Sequence, residues 1–214
     1  MPRLRNLILK RYRVVIAGLA EQCEGLNEAQ RAAVHCLEGA LLVLAGAGSG
    51  KTRVVTLRIV NLIESGVPAQ EILGLTFTNK AAEEMKHRVR GQTQHEVLIA
   101  TFHSLGARIL RQSIDHLGYT RNFTIYDEED VDKVLKSILK DLGVPEEKIE
   151  LKGLRQLISR AKNALQEPQD VPATGTTATE MFFQRIYDQY MTRLKSYNAL
   201  DFDDLLFLPV KLFR

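Results

Sequence analysis

Three short apolar runs punctuate the first half of the chain: residues 41–44 (LLVL), 72–76 (ILGLT) and 97–101 (VLIAT). Each is too brief for a buried helix and lacks the alternation of a half-exposed strand. That is the pattern of strands covered on both faces of a parallel sheet. After each run the spacing of apolar positions changes to about 3.6 residues. Val54, Val55, Leu57, Ile59, Val60 and Ile63 follow the first, KAAEEMKHRV the second, and a stretch reaching Leu117 and Gly118 the third. Three strand-then-helix units in succession predict an α/β fold with a parallel sheet. Ahead of them, residues 26–34 (LNEAQRAAV) predict a helix start with Asn27 as N-cap and Gln30 at the third helical position.

From residue 122 the texture becomes helical. Val131, Val134, Leu135, Ile138 and Leu139 mark one helix, and residues 151–165 a second, on which Lys152, Arg155, Arg160 and Lys162 are read as a basic face. A Pro- and Thr-rich loop over 167–180 leads to a third helix, from Glu180 to about Lys195. Its stripe of Phe182, Phe183, Ile186, Tyr187, Tyr190 and Leu194 reads as core packing. The sequence therefore divides into a leader (1–25), an α/β part (26–119), an inserted all-helical block (120–197) and a return segment (198–214).

The chemistry concentrates where the first apolar run ends. Residues 45–53 read AGAGSGKTR, matching the phosphate-loop pattern G-x-x-x-x-G-K-[ST] except that Ala45 stands at the first position. Gly46, Gly48 and Gly50, with Ala47 and Ser49 between them, let backbone N–H groups turn toward an anion at the start of a helix. Lys51 can place a charge on nucleotide phosphates, and Thr52 can offer a hydroxyl to Mg²⁺. Gln30 has two readings of equal standing on spacing: a helix cap, or an amide that recognises an adenine edge.

In open parallel sheets ligands sit at the carboxyl ends of strands. The second and third runs end in Phe77, Thr78 and Asn79, and in Thr101, Phe102 and His103. Large rings at strand ends suit stacking on single-stranded bases, and equally suit strand-end core packing. Two acidic stretches are ambiguous. Asp127 and Glu128 imitate a Walker B strand end, but Asp127 stands directly before a helical pattern and reads better as an N-cap. Asp201, Asp203 and Asp204 could hold a metal, and equally suit the cap and dipole of a helix start, which is the preferred reading.

Composition narrows the class only slightly. The 214 residues are 45% hydrophobic and 26% charged, ordinary for a globular protein. Five of the 29 basic residues (Arg3, Arg5, Lys10, Arg11 and Arg13) precede the first acidic one, leaving 24 against 26 acidic ones. Nucleic-acid binding must therefore be argued from positions, not bulk charge. Cys23 and Cys36 have no metal-ligand spacing and suit a reduced cytoplasm. The charges of the leader interrupt its apolar patch, unlike a signal peptide.

Taken together, LNEAQRAAV, LVLAGAGSGKTRVVTLRI, ILGLTFTNKAAEEMKHRV, ATFHSLGARILR and ALDFDDLL closely resemble, in order and spacing, the N-terminal part of the UvrD/Rep/PcrA family of superfamily 1 DNA helicases. The resemblance implies a RecA-like domain binding ATP and Mg²⁺, with the alanine at position 45 normal for the family. It implies that Gln30 recognises adenine, Arg53 packs near it, and residues 45–52 hold the phosphates, with Lys51 and Thr52 catalytic. It further implies that Phe77, Thr78, Asn79, Thr101, Phe102 and His103 meet single-stranded or 3′-tailed duplex DNA, and that the helical block is an accessory subdomain. Such motors translocate 3′ to 5′ by closing a cleft between two RecA-like domains. The Walker B carboxylates and the second motor domain are expected beyond position 214. On that reading the 214 residues alone bind nucleotide weakly, hydrolyse none, and leave apolar strand edges unpaired. Competing classes are a small P-loop kinase or GTPase, which Asn79-Lys-Ala-Ala does not suit, and a non-catalytic single-strand-binding module.

Overall fold

The computed structural model describes residues 23–144, 149–171 and 178–214; most of the basic leader lies outside them. The described chain forms two compact units, one ending at Thr101 and the other beginning at Phe102.

The first unit contains α1 (Glu28–His35), α2 (Lys51–Glu64), β1 (Leu73–Thr76), α3 (Asn79–Arg90) and β2 (Leu98–Thr101). The second and third apolar runs form β1 and β2, which pair in parallel from Leu73 opposite Leu98 to Thr76 opposite Thr101. Ile59, Ile72, Ala82, Met85, Val89 and Ile99 close a core around them. Cys23, Leu26, Ala33, Val34, Val54 and Leu57 close another between α1 and α2. That second contact is also polar. Asn61 Nδ2 donates to Val34 O at 2.9 Å, and Arg58 donates to the carbonyls of Ala33 and Cys36. These side chains satisfy carbonyls that the end of α1 would otherwise leave open.

The first apolar run departs from expectation. Residues 41–44 form no strand, and Leu42 and Leu44 are 82% and 87% exposed. An apolar run becomes a strand only when a neighbour completes its hydrogen-bond ladder. Among the described residues the sheets are the β1–β2 pair and a second two-stranded pair, Thr124–Ile125 with Ala199–Leu200, and neither takes it.

The second unit runs α4 (Phe102–Ser113), β3 (Thr124–Ile125), α5 (Glu128–Asp141), α6 (Leu151–Asn163), α7 (Ala178–Ser196), β4 (Ala199–Leu200) and α8 (Asp204–Leu212). A 3₁₀ turn at Ile114–Leu117 continues α4 and ends at left-handed Gly118, with φ of 77°. The helical block is packed around Leu135, Ile138 and Leu139 of α5, Leu154 and Ile158 of α6, and Ile186, Tyr187, Tyr190 and Leu194 of α7. Phe182, expected in that stripe, is instead exposed at its edge. Lys162, expected on a basic surface, is buried, because the phase set by Leu154 and Ile158 turns it inward. Asp127 is the N-cap of α5, its carboxylate accepting the Asp130 N–H at 3.0 Å. The block is thus entered at β3 and left at β4, which pair in parallel side by side. The whole is α/β, with parallel strand pairs and a helical insertion.

Helices α4 and α8 touch backbone to backbone at Gly106, where an added Cβ would sit 1.8 Å from Leu205 O. Because backbone cannot yield there, Gly106→Ala is expected to destabilise the chain by about 3 kcal/mol or more. A thermal melt within 1 kcal/mol of the parent, on the order of the smallest core effects, would contradict the packing.

Candidate nucleotide and nucleic-acid sites

The loop before α2 has the geometry of an anion cradle. Gly48 and Gly50 both adopt positive φ, 74° and 77°, which a side chain would strain. Ser49 Oγ donates to Gly46 O at 2.7 Å and tightens the turn. Lys51, the first residue of α2, folds back so that Nζ donates to Gly46 O at 2.6 Å and Ala45 O at 3.1 Å. Its ammonium therefore lies inside the loop, held by weak neutral acceptors that a charged phosphate can replace. Thr52 follows on the exposed first turn of α2.

Of the two readings that the sequence left open for Gln30, the geometry shows the helix cap. Its Oε1 accepts the Asn27 N–H at 2.9 Å, and its own N–H donates to Asn27 Oδ1 at 2.9 Å, a complete capping box. Its Nε2 donates to Ser49 O at 2.9 Å, so the same amide grips the phosphate loop. A Cβ at Gly50 would approach that Nε2 to 3.1 Å, a second reason for glycine there. A cavity of about 520 Å³ is lined by Asn27, Gln30, Ala45, Ser49, Lys51 and Arg58, among others. Its breadth suits a nucleotide, and its lining includes no carboxylate. Arg53 points elsewhere, Nη2 donating to Glu24 O at 2.7 Å.

At the end of β1, Phe77 is 91% exposed, outside any core. Thr78 Oγ1 accepts the Ala81 N–H at 3.1 Å and caps α3. Asn79 Oδ1 accepts from the hydroxyl of Thr101, at the end of β2, at 3.4 Å. The two strand ends are thus linked by their side chains. In the second unit, Phe102 is about half exposed at the start of α4. His103 stacks on Phe202, with ring centroids 3.9 Å apart and planes at 19°.

The acidic cluster resolves as a cap with an unforeseen cation. Asp201 Oδ1 accepts the Asp204 N–H at 2.9 Å, and Asp204 Oδ2 accepts the Asp201 N–H at 3.0 Å. Asp203 makes no such cap contact. Lys162 Nζ lies 2.6 Å from Asp201 Oδ2 and 2.7 Å from Asp204 Oδ1, and Tyr190 donates its hydroxyl to Asp201 Oδ2 at 2.7 Å. Burial alone would drive the Lys162 proton off; the two carboxylates outweigh it and hold the ammonium above its ordinary range. Burial raises the Asp204 carboxyl above its ordinary value, while for Asp201 the attraction of Lys162 overcomes burial and lowers it. Nothing in one-dimensional spacing joins Lys162 to residues about forty positions later; only its phase on α6 pointed inward. Among the described residues no group of acidic, histidine or cysteine side chains could hold a metal ion by itself, and no helix is long and apolar enough to cross a membrane.

The family model described as the UvrD/REP helicase N-terminal domain matches residues 26–214. The chain belongs to that family. It is 44% identical to the ATP-dependent DNA helicase PcrA of Bacillus subtilis (strain 168) over 193 residues, 88% of this chain and 26% of that protein. Identity to the ATP-dependent DNA helicase PcrA of Staphylococcus aureus (strain Mu50 / ATCC 700699) is 42% over the same share of each. To that of Staphylococcus epidermidis it is 41%, over 89% of this chain and 27% of that protein. The chain therefore spans about a quarter of the length of these relatives.

Replacing Gln30 by Ala removes a reciprocal cap and a loop contact together. A loss of about 1 kcal/mol is expected in denaturant unfolding. Unchanged stability would mean that the capping box contributes nothing.

Proposed function

We propose that this chain is the ATP-binding N-terminal portion of an ATP-dependent 3′-to-5′ DNA helicase or translocase, acting in the cytoplasm. Residues 26–119 would be the first part of one motor domain, 120–197 its accessory subdomain, and 198–214 its return. The observation that carries the reading is the cavity joining Gln30 to the phosphate loop, with the Lys51 ammonium folded inside that loop. Gln30 would read the adenine edge, and Arg53 would have to leave Glu24 O to pack near it. Residues 45–52 would cradle the β- and γ-phosphates through backbone N–H groups, and Lys51 would exchange two carbonyl contacts for phosphate oxygens. The residues fit Mg²⁺ only in part: Thr52 offers one hydroxyl, and the lining of the cavity offers no carboxylate. When bound, the ion would neutralise charge on the phosphates. On this reading the rest of the hydrolytic machinery, including a second motor domain across the cleft, comes from outside these residues, and the 214 residues alone do not turn ATP over.

Single-stranded DNA, or the 3′ tail of a duplex, would meet Phe77, Thr78, Asn79, Thr101, Phe102 and His103. The exposure of the Phe77 ring supports this best, since a ring open at a strand end presents a face on which a base can stack.

Binding of a fluorescent ATP analogue is expected to be measurable and to weaken at least about tenfold in Lys51→Ala, which deletes a charge-assisted contact. Steady-state ATP turnover is expected to be absent. Turnover abolished by Lys51→Ala would instead make these residues an enzyme in themselves. Oligo-dT binding, read by fluorescence anisotropy, is expected to weaken by about 1–3 kcal/mol in each of Phe77→Ala and Phe102→Ala. Wild-type affinity in both would remove the stacking role.

A further inference from the structure

The buried triad of Lys162, Asp201 and Asp204 has no part in nucleotide binding, yet it is the most enclosed ionic group among the described residues. The Lys162 side chain is fully enclosed, and those of Asp201 and Asp204 are 9% and 1% exposed. It joins three places: α6 gives Lys162, α7 gives Tyr190, and the turn running from the end of β4 into the first residue of α8 gives both carboxylates. That turn is closed on itself by the reciprocal Asp201–Asp204 bonds. It is held to α6 a second time, by Asn163 Nδ2 donating to Asp203 Oδ1 at 3.2 Å. Residues 162 and 163 of one helix thus grip residues 201, 203 and 204.

The remaining residue of that turn is Phe202. Its ring is 60% exposed, so burial does little to fix it. It nevertheless lies flat on His103 with ring centroids 3.9 Å apart. An exposed aromatic pair is a weak contact by itself. A buried lysine between two carboxylates, with the spare lone pairs taken by a phenol and two backbone N–H groups, permits very little displacement.

We propose that Lys162 is a positioning residue: by clamping the 201–204 turn it holds Phe202 against His103 and so fixes the orientation of the His103 imidazole. The consequence for DNA rests on the reading of His103 given under Proposed function. The clamp also ties the last helices of the inserted block to the segment that packs on α4, so the block and the histidine are set by the same ions.

Lys162→Met alone would leave two buried carboxylates without a cation and can unfold the chain. Lys162→Met with Asp204→Asn keeps the net buried charge of the cluster and removes the tie. The direct readout is the NMR shift of the His103 ring protons, displaced upfield by the Phe202 ring in the parent and calibrated by Phe202→Leu. The double variant is expected to keep its helical circular dichroism and a cooperative melt while the His103 shifts move to the Phe202→Leu values. Tyr190→Phe, which removes one hydroxyl and no charge, is expected to move them part of the way. Parent-like His103 shifts in both variants would overturn the proposal. If the double variant does not fold, Tyr190→Phe alone decides it by the same criterion. With oligo-dT, affinity of the folded double variant is expected to fall about tenfold, with Phe202→Leu adding nothing in that background. Failure of the parent chain to bind oligo-dT would remove the DNA reading and leave the clamp to stand or fall on the His103 shifts.

Discussion

A strand can be buried only where another strand completes its hydrogen bonds, and this constraint governs where order is found in the first unit. Thr76 and Thr101 end their strands in register because β1 and β2 share a parallel ladder from Leu73 and Leu98 onward. Helix α3 begins three residues after β1 ends, and its cap, Thr78, lies in the intervening loop. The residues proposed to meet DNA therefore inherit their positions from the pairing: Phe77 and Thr78 follow one strand, and Asn79 meets Thr101 at the end of the other. Leu41, Leu42, Val43 and Leu44 show the same rule from the other side. They are as apolar as β1 but exposed, because an apolar side chain contributes stability only when something covers it and its backbone is paired.

The phosphate loop is ordered even though the run preceding it is not a strand. What holds the loop lies on its helical side. Gln30 grips Ser49 from α1, and Lys51 grips Ala45 and Gly46 from α2. Asn61 and Arg58 then bind α1 to α2 through the open carbonyls of α1. The cradle is thereby a feature of two helices and a loop. Its glycines serve that arrangement directly, since Gly50 needs both its left-handed backbone and the space taken by the Gln30 amide.

Local chemistry was legible in the sequence to the extent that it was local. The capping box of Asn27 and Gln30, the cap at Asp127, the runs that became β1 and β2, and the reciprocal Asp201–Asp204 cap all depend on residues a few positions apart. Periodicity also placed Ile186, Tyr187 and Tyr190 in the helical core. It misplaced Phe182, which stands at the edge of the stripe, and Lys162, whose hydrophilic character hid its inward phase. Long-range partners were illegible for a physical reason. The attraction between Lys162 and Asp201 depends on a fold that brings α6 beside β4, and no propensity along the chain records that approach. The contacts of Asn61 with Val34 and of Arg58 with Ala33 were hidden in the same way, since a polar residue on a helix looks solvent-facing until a helix end is packed against it.

Gln30 shows why two readings of one residue need not compete. A helix cap requires an amide oxygen directed at its own N-terminus, and a loop clasp requires the amide nitrogen directed outward. One side-chain amide supplies both at once, and here does so with Asn27 N–H on one side and Ser49 O on the other. An adenine edge asks for the same pair, one donor and one acceptor, in the same plane. The amide nitrogen carries a second hydrogen and the oxygen a second lone pair, so such a ligand need not displace the cap or the clasp. Recognition of the base at this residue would in that way be felt by the loop proposed to hold the phosphates, through a single amide group.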